Sequence, residues 1–334
     1  MGRYLRPAVG IALSAWCLWY LFREARVSEV VAAFARARGE MIVFALGALG
    51  LAVLAKTWRW RMLLGSPRSV TFADLLSAVL VGYMVSTVVP LRLGEVARAY
   101  LVSERGALAL SHSVASIVVE KVLDVATLLV VLGCVALLVP LPGWAAALAV
   151  GGALAIGVAV LGVTVLSLGA RFAPHFAQWR PGWLPAGLAA RLAPAVGQFL
   201  RGVGVARDPR RWPALGVWSA LTWLSGVLVN YFAIQAMNVP IHPVVAAFVL
   251  VVTNLGMAAP SAPGYVGVFH FLAVQALLPF GVPESTALSA ALALHGLIFA
   301  PFVLAGGALL WRRGYRPAVS WRQARAKLDP PVQR

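Results

Sequence analysis

The chain has 334 residues, of which 61% are hydrophobic and only 12% are charged, and its formal net charge is +17. A soluble domain carries about 25% charged residues, so the composition excludes an ordinary soluble fold. The basic residues are grouped between apolar runs instead of covering a polar surface, which argues against a nucleic-acid-binding protein. Because the apolar runs are continuous rather than alternating, the sequence predicts an all-α polytopic membrane protein.

Six apolar runs approach the ~20 residues that a helix needs to cross a bilayer. They lie at about 7–22, 41–60, 122–139, 144–169, 214–237 and 286–311. The stretch between the first two, from Arg23 to Glu40, is mixed in charge and is predicted to form a helix in the membrane interface. Residues 1–314 are therefore assigned to one transmembrane domain, and residues 315–334 to a basic cytoplasmic tail.

The basic clusters set the predicted orientation. They lie at Lys56–Arg68, at Arg171–Arg211 and from Arg312 onward, and the positive-inside rule assigns all three to cytoplasmic loops. Both termini are then cytoplasmic, and segment 171–211 becomes a cytoplasmic linker. The interfacial stretch after the first run lies outside and is an exception to the rule, since it holds four arginines.

Two further apolar regions, at 74–105 and 243–279, are interrupted near their middles by Pro90–Gly94 and Pro260–Gly264. Proline lacks a backbone donor and glycine permits tight turns. Each region is therefore predicted to form a Pro/Gly-broken, re-entrant helix pair in addition to the six full spans.

The two broken regions also indicate an internal duplication. An offset of 170 residues superposes the breaks, and it carries the span at 41–60 onto the span at 214–237. By the order of crossings, these two spans run in opposite directions. The sequence therefore predicts inverted repeats at about 41–139 and 212–311, a pattern that points to a transport site near the middle of the membrane.

Charged residues are concentrated around the first break and at the start of the next span. They are Arg92, Glu95, Arg98, Glu120, Lys121 and Asp124. Glu95 is three residues from each arginine, so helical spacing makes the arginines its predicted partners, and Glu120 and Asp124, four residues apart, are predicted to share one helical face. A charge at membrane depth costs roughly 2.5–3.5 kcal/mol, so it normally faces a cavity or a partner. Two interpretations stay open: the arginines neutralise the acids and join helices, or a guanidinium keeps donors free for a phosphate, which its fork geometry suits.

The second repeat has histidines instead. His270 follows the second break and His295 lies in the last span. A histidine inside a span is more often a hydrogen-bonded packing group than a proton relay or a head-group contact. Cys17 and Cys134 lie in apolar runs without metal-ligand spacing, so neither a metal nor another cofactor is expected.

Three motifs, taken in order, resemble one known family. They are Pro90-x-Arg92-x-Gly94-Glu95-x-x-Arg98, Glu120-Lys121-x-x-Asp124 and Pro263-Gly264-x-x-Gly267-Val-Phe. The resemblance is to the lysylphosphatidylglycerol synthase transmembrane-region family, the flippase-like domain of bacterial multiple peptide resistance factors, and it covers roughly residues 10–311. It implies a lipid-translocating domain of the inner membrane in which two re-entrant helix pairs meet at mid-membrane.

The chain departs from the family pattern at three positions. The family usually has Glu-Arg where this chain has Glu120-Lys121, Glu at the position of His270 and Arg at the position of His295. In bifunctional relatives a soluble aminoacyltransferase domain follows. The tail from Tyr315 to Arg334 is too short for such a domain, so synthase activity is not expected.

The predicted function is the flipping of an anionic phospholipid, or of a lipid-linked intermediate, across the inner membrane without catalysis. Arg92 and Arg98 would contact the phosphate, and the neighbouring acids would position or release them. One alternative is a non-transporting partner that presents lipid to a glycosyltransferase or another lipid-modifying enzyme. The other is a membrane-embedded enzyme acting on a polyprenyl phosphate; the sequence offers isolated acids but no nucleophile–base pair for it.

Overall fold

The computed structural model describes residues 2–24, 26–65, 70–89, 93–104, 108–169, 186–204 and 208–312. These residues are helical and contain no strand, as predicted for an all-α fold. The helices are α1 (Gly2–Glu24), α2 (Val27–Ala35), α3 (Gly39–Leu64), α4 (Phe72–Val88), α5 (Gly94–Ser103), α6 (Leu110–Leu138), α7 (Gly143–Gly169), α8 (Ala186–Gly204), α9 (Trp212–Ala236), α10 (Pro243–Gly256), α11 (Val268–Leu277) and α12 (Glu284–Arg312). The tail 315–334 and residues 171–185 and 205–207 of the linker lie outside the described residues.

Each predicted span coincides with a helix. In the described part of the chain, five helical segments are long and apolar enough to cross a membrane: Gly39–Leu64, Leu110–Leu138, Pro209–Ala236, Pro263–Phe280 and Glu284–Arg312. The chain is therefore a multi-pass membrane protein. Many large apolar side chains point outward on these helices, with Leu137 88% exposed, as lipid-facing residues do.

One predicted boundary was wrong. The span expected at 122–139 belongs to α6, which begins twelve residues earlier, at Leu110. Glu120 and Asp124 were expected at the start of the span, but both lie well within α6, where they are buried and paired with cations from other helices. Their charges therefore do not stop the helix from continuing through the membrane.

Both broken regions are interrupted where proline and glycine predicted. The helix α4 ends at Val88 and α5 begins at Gly94, and the two helices pack side by side. A Cβ atom on Gly94 would overlap the carbonyl oxygen of Gly82 and the side chain of Ser86, so only glycine allows this approach. The α4–α5 pair is a tight helical hairpin whose tip is the break.

The second hairpin is formed by α10 and α11. Its tip contains Gly264 (φ 71°) and Gly267 (φ 86°). Positive φ angles of this size favour glycine, which has no Cβ atom. The helices α5 and α11 have ten residues each and are therefore ~15 Å long, half of the ~30 Å hydrocarbon core. The ten-residue α5 is too short to cross a membrane by itself, whereas α11 with its flanking 3-10 turns forms the segment Pro263–Phe280, which is long enough.

The helix α3 packs against α9 along its length in antiparallel orientation. Arg38 N donates to Ala236 O (2.8 Å) at one end, and the Arg211 guanidinium donates to Met62 O (3.3 Å) at the other. Some of the other contacts match between the two halves: α4 packs on α12 as α10 packs on α6, and α5 packs on α6 as α11 packs on α12. This pairing is the one that two inverted repeats require; the duplication itself stays a prediction.

The helix α1 packs on the second hairpin and supports its tip. Ala262 N donates to the Ser14 hydroxyl (2.8 Å), and a Cβ atom on Gly267 would overlap the Ser14 backbone. On the side away from α1, the tip of the second hairpin meets the first hairpin, because Tyr265 of the second and Thr87 of the first line the same cavity. The two tips therefore come together in the centre of the helix bundle.

Candidate functional site

A cavity of about 300 Å³ lies where the two hairpin tips meet. It is lined by α3, α4, α5, α6, α9, α10 and α12, with Tyr265 from the second tip. Of the residues predicted to form a site, four line it: Gly94, Glu95, Arg98 and Lys121. Such a cavity between helices of a bundle is the usual place for a small ligand or a head group.

A buried ionic cluster lies behind this cavity. Lys56 and Arg59 project from α3 towards Glu120 and Asp124 on α6. The Lys56 ammonium contacts Glu120 (2.5 Å) and Asp124 (3.1 Å), and the Arg59 guanidinium binds Asp124 and donates to Ser219 (3.1 Å). The predicted shared face of Glu120 and Asp124 is thus confirmed.

Arg98 joins the cluster to the cavity. It is 5% exposed on α5, and its guanidinium donates to both carboxylate oxygens of Glu120. The guanidinium carbon lies 4.1 Å from the centre of the Trp60 ring, and the Trp60 indole N–H donates to Ser116 (3.0 Å). The ring therefore holds the plane of the guanidinium by a cation–π contact.

Glu95 and Lys121 form a separate ion pair at the cavity. The Lys121 ammonium lies 2.6 Å from the Glu95 carboxylate, and their side chains are 50% and 41% exposed. This arrangement corrects the partners that helical spacing predicted. Glu95 pairs with α6 instead of with Arg98, since Arg98 is occupied by the buried carboxylate of Glu120.

The described part of the site carries an excess of positive charge. Its cations are Lys56, Arg59, Arg98 and Lys121, against the carboxylates of Glu95, Glu120 and Asp124. Among the described residues that line the cavity the excess is larger, because Glu95 is the only carboxylate there against the three cations Lys56, Arg98 and Lys121. Buried cations with too few carboxylates favour an anion as a further partner.

The sequence places Lys56 and Arg59 at the end of the predicted span 41–60 and in the basic cluster Lys56–Arg68, and it does not identify them as site residues. In the structure they are 8% and 0% exposed, because they lie within α3, which continues to Leu64. Their spacing of three residues puts both on one helical face, and this was the signal that could have placed them opposite acids spaced four apart.

The site residues of the second repeat do not line the cavity. They are Pro263, Gly264, Gly267, His270 and His295. His270 Nδ1 accepts a hydrogen bond from Gly267 N (3.2 Å), and His295 Nε2 donates to Gly264 O (2.7 Å). The two imidazole rings lie 4.6 Å apart. The structure thus gives both histidines a hydrogen-bonding role in the second tip.

Arg92 and Pro90, predicted beside the phosphate, lie outside the described residues. In the described segments no group of three or more His, Cys, Asp or Glu side chains could hold a metal ion. What the site offers chemically is therefore charge and hydrogen bonding around a central space.

Broken helices around a positively charged central cavity define a class of polytopic membrane proteins with an intramembrane site. A family model described as the lysylphosphatidylglycerol synthase TM region matches residues 8–306. The chain belongs to this family, as its motifs indicated, and the membership indicates a function related to membrane lipids. A search of curated proteins found no similar sequence.

Proposed function

We propose that the protein flips an anionic phospholipid, or a lipid-linked intermediate, between the leaflets of the bacterial inner membrane, without changing the lipid chemically. The observation that carries this proposal is the central cavity, where Lys56, Arg98 and Lys121 face one carboxylate. Charged side chains buried in a membrane normally mark a substrate pathway, and an excess of cations selects an anion.

Arg98 is the main phosphate contact in this proposal. Its guanidinium is held between Trp60 and Glu120, and its Nε–H has no hydrogen-bond partner among the described residues. A fixed, planar guanidinium at the cavity suits a phosphate, whose oxygens accept hydrogen bonds from a fork of N–H groups. Lys56 and Lys121 add charge, and Glu120 keeps Arg98 in place when no lipid is bound.

The two short hairpins would give the lipid a route. In the proposed arrangement each dips into the membrane from one side, and the head group crosses at the point where the tips meet. The acyl chains would stay in the bilayer between the helices. This arrangement is the usual one for transport sites built from discontinuous helices of inverted repeats.

The proposal is tested by reconstituting the purified protein in liposomes with phosphatidylglycerol that carries a fluorophore on its acyl chain. Dithionite quenches the fluorophore only in the outer leaflet, so transport increases the quenched fraction. We expect transport by the wild type and a loss of tenfold or more in Arg98→Gln, because the charge and the fork are both removed. Arg98→Lys should restore transport only in part.

Arg61→Gln is the matched control, since Arg61 lies on α3 over the Trp58 ring and does not line the cavity. It should transport like the wild type. Recovered lipid should keep its mass, because no reaction is proposed. Tight lipid binding without transport in the wild type would overturn the flippase proposal and favour a protein that presents lipid to an enzyme. A chemically altered lipid would favour an enzyme.

We also propose that both termini face the cytoplasm. The proposal rests on the arginines at the ends of α3 and α12 and in the segment before α9. Single cysteines at the exposed positions Arg210 and Pro283, introduced after replacing Cys17 and Cys134, test it in whole cells. A membrane-impermeant maleimide should label Pro283→Cys alone. Labelling of both positions would refute the proposed orientation.

A further inference from the structure

The tip of the second hairpin is held by a pair of histidines. His270 of α11 is 4% exposed, and its ring lies 4.6 Å from the ring of His295 on α12. Each imidazole binds the backbone of one tip glycine: His270 Nδ1 accepts from Gly267 N, and His295 Nε2 donates to Gly264 O. The tip backbone is thus held at two points by side chains whose hydrogen bonding depends on their protonation.

The position of His270 in its helix makes it a helix cap. Gly267 is the N-cap residue of α11 and His270 is the third helical residue, so the imidazole takes the place of the Glu or Gln of a capping box. Because Nδ1 is the acceptor, the neutral ring carries its hydrogen on Nε2, and an added proton must bind at Nδ1. Protonation of His270 therefore replaces its bond to Gly267 with a contact between two donors.

His295 responds differently to a proton. Its Nε2–H donates to Gly264 O, so the lone pair of the neutral ring is on Nδ1. A proton bound there leaves the bond to Gly264 intact. Of the two histidines, only His270 therefore loses its contact with the tip when it is protonated. The unpaired N–H groups of the first turn of α11 also disfavour a cation at that position.

The backbone between the two glycines has a conformation that depends on such contacts. Tyr265 has a φ of 58°, in the left-handed region that residues with a Cβ atom rarely adopt. A conformation of this kind persists only where the surrounding structure holds it. Tyr265 also lines the central cavity and lies two residues before Gly267, the partner of His270. Loss of the capping bond is therefore expected to move a residue of the cavity wall.

The surroundings of the two rings are aromatic and uncharged. The His295 ring contacts Phe269 and Phe299, with 5.4 and 4.5 Å between centroids, and neither imidazole forms an ion pair with a described residue. On the elements packed against the pair, the inward-facing titratable side chains are neutral near pH 7, and α9 and α10 contain no charged residue. These side chains are Cys17 of α1, Tyr83 of α4 and Tyr265 of the tip.

The charged side chains closest in the fold belong to the central cavity. Lys56, Glu95, Arg98 and Lys121 line it together with Phe299, whereas the two histidines do not. The closed tip, in which the capping bond is present, thus offers an imidazolium on His270 neither a counter-ion nor an acceptor. Proton binding and opening of the tip therefore favour one another.

We propose that His270 is a proton-binding site that controls the second hairpin tip. While the ring is neutral, it caps α11 and keeps the tip closed. When the ring takes a proton, the capping bond is lost and the tip opens. The inference rests on the proposed function in one respect, namely that opening of the tip increases the rate at which lipid passes the cavity. Acid would thus activate transport without a change at Arg98.

Hydrogen exchange of the purified protein, followed by mass spectrometry from about pH 8 to about pH 5, tests the proton site without lipid. The variant His270→Gln keeps an acceptor at the third position of the helix but takes no proton. Exchange in the wild type is divided by exchange in this variant at the same pH, which cancels the intrinsic effect of pH. For residues 262–269 we expect a ratio near one at the highest pH and about fivefold or more at the lowest.

His242→Gln is the matched control. His242 Nδ1 accepts from Val244 N (3.3 Å) at the start of α10, so it caps a helix with the same atom, but it is exposed and lies outside the tip. This variant should show the pH response of the wild type. His295→Gln should also keep a response, because His270 is intact. A response lost in His295→Gln would assign the proton to His295 and overturn the proposal.

The effect on transport is measured in liposomes with the same pH on both sides of the membrane. Dithionite is unstable in acid, so albumin extraction of a short-chain fluorescent phosphatidylglycerol replaces it. Transport by the wild type should rise severalfold as the pH falls, and His270→Gln should keep the rate of the wild type at high pH. His270→Leu, which lacks the acceptor, should be fast at every pH. A folding defect in the leucine variant does not affect the comparison with the glutamine variant.

An exchange ratio that stays near one over the whole pH range would overturn the proton site. An open tip in acid with transport that does not depend on pH would overturn its control of transport. In both results the flippase proposal stands, as long as the wild type transports lipid. An absence of transport at every pH would overturn that proposal, while a pH-dependent exchange ratio would still support proton binding at His270.

Discussion

Removing a carboxylate from the buried cluster should destabilise the protein far more than removing a cation. The cluster holds three cations, Lys56, Arg59 and Arg98, and two carboxylates, Glu120 and Asp124. The substitution Arg98→Gln leaves two charges of each sign. The substitution Glu120→Gln leaves three cations with one carboxylate. The two changes remove partners from the same contact, so the difference between them isolates the effect of the charge count.

The magnitude follows from the pairs that each change removes. Glu120 attracts three cations and repels Asp124, so it contributes about two net attractions, each worth about 4 kcal/mol at ~4 Å and an effective dielectric of ~20. Relief of its desolvation offsets several kcal/mol, which leaves a loss of about 3–5 kcal/mol. Arg98 is attracted by the two carboxylates of the cluster and repelled by its two other cations, so these electrostatic energies nearly cancel. Its loss removes hydrogen bonds and the contact with Trp60, together about 1–2 kcal/mol.

The assay is thermal unfolding in detergent, followed by intrinsic fluorescence, for which the chain has 12 tryptophans. Glu120→Gln should melt well below Arg98→Gln, and the double variant should lie between the two. In liposomes, Arg98→Gln and the double variant should both fail to transport lipid. If Glu120→Gln is as stable as Arg98→Gln, the charge count does not govern the stability of the cluster. Restored transport in the double variant would mean that Arg98 only joins helices.

Other consequences concern the hairpin tips. Gly94→Ala should lower stability by about 1–3 kcal/mol, because its Cβ would overlap Gly82 O. Gly133→Ala is the control and should be tolerated, because its Cβ would meet nothing within 4 Å. Equal melting temperatures of the two variants would contradict this reasoning. His295→Leu should cost about 1–3 kcal/mol, since Gly264 O loses its donor. A loss of transport at unchanged stability would instead give this histidine a direct role.

The fold was predictable because its signals are local. A run of apolar residues identifies a span without reference to the rest of the chain, and the predicted spans all coincide with helices. Proline and glycine interrupt a helix through their own backbone chemistry, so both breaks were found as well. The boundary of α6 was misplaced for the opposite reason, since the charges of Glu120 and Asp124 are tolerated only because distant residues pair with them.

The site was only partly predictable because its partners are far apart in sequence. Lys56 and Asp124 are 68 residues apart, and the positive-inside rule counts basic residues without reporting their depth. Helical spacing paired Glu95 with Arg98, but the packing of α5 on α6 gives each a different partner. Trp223 and Asn230 of α9 also line the cavity but belong to no charged motif, so they emerge only when the cavity is described.

The Glu95–Lys121 pair provides a test of how the site releases its substrate. Under the flippase proposal, lipid in the cavity would compete with Glu95 for the Lys121 ammonium, and a transport site must bind weakly enough to let the substrate leave. Glu95→Gln removes this competitor. We expect phosphatidylglycerol to bind severalfold more tightly and to be transported more slowly. Stability should change by less than about 1 kcal/mol, because the pair is half exposed.

The control for this variant is Glu29→Gln, which removes an exposed carboxylate that pairs with Arg26 on the surface. It should leave the binding and transport of lipid unchanged. Faster transport without tighter binding in Glu95→Gln would show that the carboxylate obstructs entry instead of promoting release. Weaker binding would show that it holds Lys121 in the orientation that the phosphate needs. The Glu95→Gln variant thus distinguishes an effect of Glu95 on the binding of lipid from an effect on its release.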